Sequence, residues 1–194
     1  MRFRPAILVV TLLLLSFGLA AGRGQPPSGR ASDMERKLGH IETNGSAAHP
    51  DPTPTVFTEG EINTYFAAGK VTLPAGVRSV RFQAEPGVVR ATARVDFDQL
   101  PAGRTSMNPL LSIFGGIHDV VVTAHAHGSG GVGDVQVDAV SLDGVELPRF
   151  VLQLFVEKFL QPKYPDLGLD SRFPLPDRID TATVGSRLVS TVQR

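Results

Sequence analysis

Three histidines near one another in the chain are the residues best suited to chemistry. His125 and His127 are two positions apart, so on a strand they share one face, and His118 is close to them in the sequence. A His-x-His pair binds zinc when a third ligand converges on it, and Asp119 or Asp138 could supply that ligand. No further ligand spacing is recognisable, so the pattern favours two histidines on the solvent face of a strand.

Other patterns of catalytic residues are absent or unspecific. The chain has no cysteine, which excludes a thiol nucleophile, a disulfide framework and a lipid-modified cysteine. It has neither a G-x-S-x-G nor an H-E-x-x-H motif. The carboxylates alternate with apolar residues or lie in turns, and no glycosidase-like pair is singled out. The sequence therefore predicts no enzyme, no metal and no other cofactor.

The balance of charges restricts the class of partner. The 194 residues include 19 Lys and Arg against 19 Asp and Glu. Loss of residues 1–21 would remove only Arg2 and Arg4, which leaves 17 cationic against 19 anionic side chains, a net charge of −2. A protein that binds nucleic acid usually has a basic footprint, so we expect no nucleic-acid partner.

The N-terminus has the pattern of an export signal. Residues 1–21 combine two arginines with an uninterrupted apolar run that ends in small residues, which is typical of a secretory signal peptide. The run is close to the roughly 20 residues that a membrane-spanning helix needs, so an N-terminal anchor is the alternative. In both cases the remainder crosses the inner membrane and is periplasmic or membrane-anchored facing the periplasm.

Composition divides the rest of the chain in two. Residues 22–55 are rich in Gly, Pro, Ser and charge and poor in large apolar residues, which predicts a disordered linker. Residues 56–194 are predicted to form one domain. It begins with a short helix, because Thr58 and Glu61 have capping-box spacing and the apolar residues that follow share one helical face.

Alternating apolar and polar residues predict antiparallel strands in three pairs. The predicted strand segments are 77–85 with 88–97, 118–128 with 134–144, and the two halves of 178–192. The last pair is predicted to turn at Gly185-Ser186, where a leading glycine suits a type II′ turn.

A second helix is predicted over residues 149–161. Its polar side chains Arg149, Gln153, Glu157 and Gln161 recur at every fourth position, and prolines flank it. The opposite arc is broad and apolar. These elements predict an α+β fold, with a curved antiparallel sheet packed on one long amphipathic helix and a short N-terminal helix.

Small residues recur on the face that alternation assigns to the interior of the sheet. They leave space either for a closely packed helix or for an apolar ligand between the sheet and helix 149–161. The predicted lipid-binding residues are these alanines and the apolar arc of the helix: Ala91, Ala93, Ala124, Ala126, Ala139, Val151, Leu152, Phe155, Val156 and Phe159.

The order of these motifs resembles the bacterial exported LmeA-like family. The matching segments are "FTEGEINTYFAA", "VRATARVDF", "VQVDAVSLDGVELPRFVLQLFVEKFL" and "FPLPDRI" with the hairpin after it, and they span residues 57–191. The family is similar to the tubular lipid-binding superfamily, in which a curved antiparallel sheet wraps a long helix around an apolar tunnel. The resemblance implies binding of lipid or another apolar ligand and contact with a membrane, and it implies no catalytic residues.

Two other functions stay open at this point. A fully packed domain would act as a structural adaptor and bind a protein in the cell envelope. An enzyme with its site at the His125 and His127 face is the third interpretation.

Overall fold

The computed structural model describes residues 29–99, 115–161 and 168–194, without the side chains of residues 159 and 160. The predicted signal peptide or anchor at residues 1–21 lies outside the described residues, and so does the side chain of Phe159. Within the described part, no helix is both long enough and apolar enough to cross a membrane.

The described residues form an α+β fold, as the alternation predicted. The helices are α1 (Gly29–Gly45), α2 (Glu59–Ala67) and α3 (Arg149–Phe155). The strands are β1 (Thr55–Thr58), β2 (Val77–Glu85), β3 (Val88–Asp96), β4 (Ile117–Ser129), β5 (Val132–Leu142), β6 (Val145–Glu146), β7 (Asp170–Pro174), β8 (Ile179–Gly185) and β9 (Leu188–Gln193).

All of the described strand pairs are antiparallel, and β4 is central. It pairs with β3 over residues 117–125, with β5 along the opposite edge, and with β8 at His127 and Gly128. β9 then joins β8 to β1, while β2 extends the sheet beyond β3. Each predicted strand pair is therefore present in this sheet.

The predicted long helix over residues 149–161 is not confirmed. α3 has only seven residues, and it continues into a π-helical turn at Val156–Leu160. Val151 and Leu152 are buried and Arg149 and Gln153 are exposed, so the segment is amphipathic as predicted. The sheet is thus covered by several short helices instead of one long helix.

α1 corrects the prediction that residues 22–55 form a disordered linker. It has 17 residues, and Ala31, Met34 and Ile41 are at most 3 % exposed. With the half-buried Leu38, these residues form a stripe at spacings of three and four, which is the period of an α-helix. The composition of the segment does not reveal this stripe, because the residues on the other faces of α1 are mostly polar.

α2 begins where the sequence indicates. Thr58 is its N-cap, the Thr58 hydroxyl accepts a hydrogen bond from the Glu61 amide, and the Glu61 carboxylate accepts one from the Thr58 amide. The reciprocal bonds satisfy two amides that the first turn of a helix leaves unpaired. Ile62 and Tyr65 are buried on the face toward the sheet.

The β8–β9 turn differs from the prediction by one residue. Gly185 pairs with Leu188, so the two turn residues are Ser186 and Arg187, and Arg187 has φ of +59°. A type II′ turn requires positive φ at the first turn residue, whereas here the second one has it. The predicted turn at Gly185-Ser186 is therefore wrong, although the hairpin itself is present.

One face of the sheet carries two separate apolar cores. The inward-facing residues of β3 are divided between the two cores. Val89 and Ala91 belong to the first core, and Ala93 and Val95 belong to the second. α1 and α2 cover the first core, and α3 covers the second. The opposite face of the sheet bears the polar residues of the same strands.

Candidate functional site

The predicted lipid-binding residues divide between the two cores. Ala91, Ala124 and Ala126 are buried in the first core with α1 and α2. In the second core, Ala93 packs with the α3 residues Val151, Leu152 and Phe155. Val156 is also buried. A single site between the sheet and helix 149–161 would need all of the alanines to face that helix, and only Ala93 does.

Ala139 lies on the opposite face of the sheet from the other four alanines. Ala139 pairs with Thr123 and Val137 pairs with Ala124, so Asp138 is an extra residue in β5. This bulge shifts the alternation of β5, so that Val135 and Val137 join the first core and Val140 and Leu142 join the second. The assignment of Ala139 to the interior is therefore wrong.

A small apolar cavity lies inside the first core. Its volume is about 40 Å³. Met34 of α1, Ile62 of α2 and strand residues line it: Phe57, Val89, Ala126, His127, Gly133, Val135, Phe173, Leu175, Ala182, Val184 and Val189. Gly133 allows the Phe173 ring to pack directly against β5, because a Cβ at this position would lie 2.5 Å from that ring.

The cavity is too small for a whole acyl chain in this conformation. A cavity of about 150 Å³ is the size that accommodates a benzene molecule. A volume of about 40 Å³ therefore has room for only a short piece of chain. An apolar ligand could use this site only if a covering helix moved away from the sheet.

Two ion pairs connect α1 to the region of α2. The Lys37 Nζ lies 2.6 Å from the Glu61 Oε1, and the Lys70 Nζ lies 2.9 Å from the Glu35 Oε1. Burial alone would raise the pKa of Glu61, but hydrogen bonds from Lys37 and Thr58 outweigh it and hold that pKa below its usual value. The Glu61 carboxylate thus stabilises both the start of α2 and the position of α1.

The other end of α1 is attached to the C-terminal strand. The buried Gln193 side chain donates hydrogen bonds from its Nε2 to the Ile41 and Asp177 carbonyl oxygens, at 2.8 and 2.6 Å. Its Oε1 accepts a bond of 2.8 Å from the Asn44 amide. These bonds fix the C-terminal half of α1, and they satisfy the polar atoms of the buried Gln193 side chain.

The His-x-His pair lies on the open face of the sheet. Both His125 and His127 are exposed, and the His125 Nδ1 lies 2.7 Å from the Asp138 Oδ2. Across the described residues, no group of three or more His, Asp and Glu side chains is arranged to hold a metal ion. The described residues therefore provide no third ligand for a zinc site at His125 and His127.

His118 has a different environment at the rim of the second core. Its Nδ1 lies 2.6 Å from the Asp143 Oδ2, and its Nε2 lies 2.6 Å from the Gly115 carbonyl oxygen. Both ring nitrogens face acceptors, so only the imidazolium can donate to both. The hydrogen bond to Asp143, followed by the one to Gly115, raises the pKa of His118, and the same His118 bond lowers the pKa of Asp143.

Comparison with known proteins leaves the family open. No protein-family model, no curated protein and no solved structure matches the chain. The resemblance to the LmeA-like family and to tubular lipid-binding proteins therefore stays a prediction from the quoted motifs.

Sequence reasoning missed the α1 side of the cavity. The composition places Met34 in a linker, and no sequence pattern connects the strand residues Phe173, Ala182 and Val184 with a site. The stripe of Ala31, Met34, Leu38 and Ile41 was the available signal for α1. No local signal placed the cavity, because its walls come from segments as far apart as Met34 and Val189, 155 positions in the sequence.

Proposed function

We propose that the protein is an extracytoplasmic lipid-binding module that encloses an acyl chain against the inner face of its sheet. The observation that supports the proposal is the cavity of about 40 Å³ in the first core, whose wall is almost entirely apolar. The resemblance to a lipid-handling family and the predicted export signal agree with it. No covalent chemistry is part of the proposal.

Binding would be driven by removal of acyl-chain surface from water. Each Å² of apolar surface buried contributes roughly 25 cal/mol. The cavity wall offers Phe57, Ile62 and Phe173 as contacts for the chain. A polar head group would remain at the surface of the protein or in a membrane.

A second candidate function is a packed adaptor domain that binds another protein in the cell envelope. The small size of the cavity favours this candidate, because an interior that is already filled has no place for a ligand. The two candidates differ in whether the purified protein binds lipid.

Lipid extraction and a cavity-filling variant test the proposal. The protein is purified without detergent, extracted with organic solvent and analysed by lipid mass spectrometry, and a fluorescent fatty acid is titrated into it. Ala126→Val should weaken fatty-acid binding and leave the free energy of unfolding nearly unchanged, because the two added methyl groups enter the cavity. Ala139→Val, on the open face, should leave binding unchanged.

The adaptor candidate predicts other results. The parent protein would then bind no fatty acid and release no lipid on extraction. Ala126→Val would overpack a filled core and lower the free energy of unfolding by about 1–3 kcal/mol.

A further inference from the structure

We infer that the N-terminal half of α1 is a lid over the apolar site, and that a single acyl chain binds where Met34 now lies. This inference rests on the proposed function and adds the position of the site and its route of access. The ligand chemistry is a linear acyl chain, carried by a free fatty acid or by a phospholipid.

α1 contributes one side chain to the wall of the cavity. Met34 is the α1 residue that lines it, while the rest of the wall comes from α2 and the strands. Met34 is 2 % exposed and belongs to the first core. A methionine side chain is unbranched and adapts to irregular space. Withdrawal of Met34 would therefore widen a small, partly open cavity into a groove along the former path of α1.

The two halves of α1 are held by different interactions. The C-terminal half is fixed by the buried Gln193 bonds to Ile41 and by the Asn44 bond to Gln193. The N-terminal half is held by the apolar contacts of Ala31 and Met34 and by the two ion pairs of Glu35 and Lys37. The Glu35–Lys70 pair lies at the surface, where an ion pair contributes little to stability. The Lys37–Glu61 pair is partly buried and is the stronger polar restraint. Opening of the N-terminal half would break these two pairs and the Met34 contacts, while the Gln193 bonds keep the C-terminal half attached.

The lining of the cavity favours an apolar chain over a polar ligand. Apart from His127, every described residue that lines the cavity is apolar. An enclosed polar group would lack hydrogen-bond partners there, which is unfavourable. The part of the ligand in the site is therefore hydrocarbon, and its head group lies outside.

A covalent restraint on α1 tests whether the lid must open. The chain has no cysteine, so Glu35→Cys with Lys70→Cys provides a unique pair for a short bismaleimide. The ends of the two native side chains are 2.9 Å apart. The crosslinked protein should bind a fluorescent fatty acid at least about tenfold more weakly than the same double variant without crosslinker, because the open population is removed.

A crosslink on the open face of the sheet is the matched control. Arg94→Cys with Asp119→Cys replaces a surface ion pair of 3.2 Å between β3 and β4, and its crosslink should leave binding unchanged. Equal binding by the crosslinked and uncrosslinked α1 variants would overturn the lid. Parallel titrations with the free fatty acid and with vesicles that contain a fluorescent phospholipid identify which source of acyl chain the site accepts.

A second pair of variants separates the lid from general destabilisation. Met34→Ala removes the side chain that fills the site, and it should strengthen fatty-acid binding by about threefold or more. Ile41→Ala removes a residue that is equally buried in α1 but does not line the cavity. It should not strengthen binding. Similar binding by both variants would overturn the position of the site beneath Met34.

The outcomes for the lid and for lipid binding are distinguishable. If the parent and Met34→Ala bind neither fatty acid nor phospholipid, the proposed function is wrong and the lid fails with it. If the parent binds a fatty acid and the α1 crosslink has no effect, lipid binding stands and only the lid is wrong.

Discussion

Single residues in this protein gain their roles from partners that are distant in the chain. Glu61 is the capping residue of α2 and also the partner of Lys37 on α1, 24 positions earlier. His118 stands out in the sequence only because it is close to His125 and His127, whereas in the structure its two ring nitrogens contact Asp143 and Gly115. These contacts connect the β5–β6 turn to the start of β4 at the rim of the second core.

The His118 contacts predict a pH dependence of stability. Folding raises the pKa of His118. The contribution of His118 to the free energy of unfolding is therefore fully present below the ordinary histidine pKa, and it is lost as the pH rises through the pKa of His118 in the folded protein. The charged groups around it are Asp143, Asp98 and the Asp119–Arg94 pair. We therefore expect the free energy of unfolding to decrease as the pH rises above the ordinary histidine pKa of about 6.5.

Replacing the carboxylate tests this explanation. Asp143→Asn should lower the pKa of His118, measured by NMR titration of the ring, and should flatten the decrease of stability with pH. His49→Gln, at an exposed histidine between α1 and β1, is the control and should leave the pH dependence as it is. A pKa of His118 that is unaffected by Asp143→Asn would show that the hydrogen bond is not formed in solution.

At the scale of elements, α1 is part of the folded domain. Its buried stripe packs against α2, β1 and β9, and Gln193 of β9 holds its C-terminal half. A helix of this length with so polar a composition is marginal by itself in water. Its stability therefore comes from the tertiary contacts of one face.

Removal of α1 should destabilise the domain. Met34 and Ile41 are large side chains, and full burial of each contributes about 1.5–3 kcal/mol. A domain of this size loses about 2–4 °C in Tm for each kcal/mol, so residues 56–194 should melt roughly 10 °C below residues 22–194. Equal midpoints in thermal unfolding would restore the linker interpretation of residues 22–55.

At the scale of the whole molecule, one sheet face supports two cores with different covers. The first core has the cavity, the ion pairs and the proposed lid, while the second core is covered by α3. β3, β4 and β5 run through both cores, and the two cores adjoin where Val80 of the first pairs with Ala93 of the second. Because α1 and α3 cover different cores, the proposed ligand site and α3 can be perturbed separately.

Leu152→Ala tests this separation. Leu152 is 7 % exposed in the second core, so the variant should lose about 2–5 kcal/mol of unfolding free energy. Fatty-acid binding, measured where the variant is still folded, should be unchanged because Leu152 does not line the cavity. Loss of binding in Leu152→Ala, together with unchanged binding in Met34→Ala, would place the ligand beneath α3.

The sequence by itself determined the local structure. The Thr58 and Glu61 capping box predicted the start of α2, and strict alternation predicted the paired strands and the exposed face of His125 and His127. These features depend on neighbours a few residues away, so their signals are present in short windows. They also determined the α+β class and its antiparallel sheet.

Only the tertiary structure decided which residues meet. The bulge at Asp138 moved Ala139 to the open face, because one extra residue reverses every later side chain of a strand. α1 became part of the core because α2 and β9 cover its narrow apolar stripe. The five alanines were separated because two groups of helices cover one face of the sheet, and alternation identifies a face without identifying what packs against it.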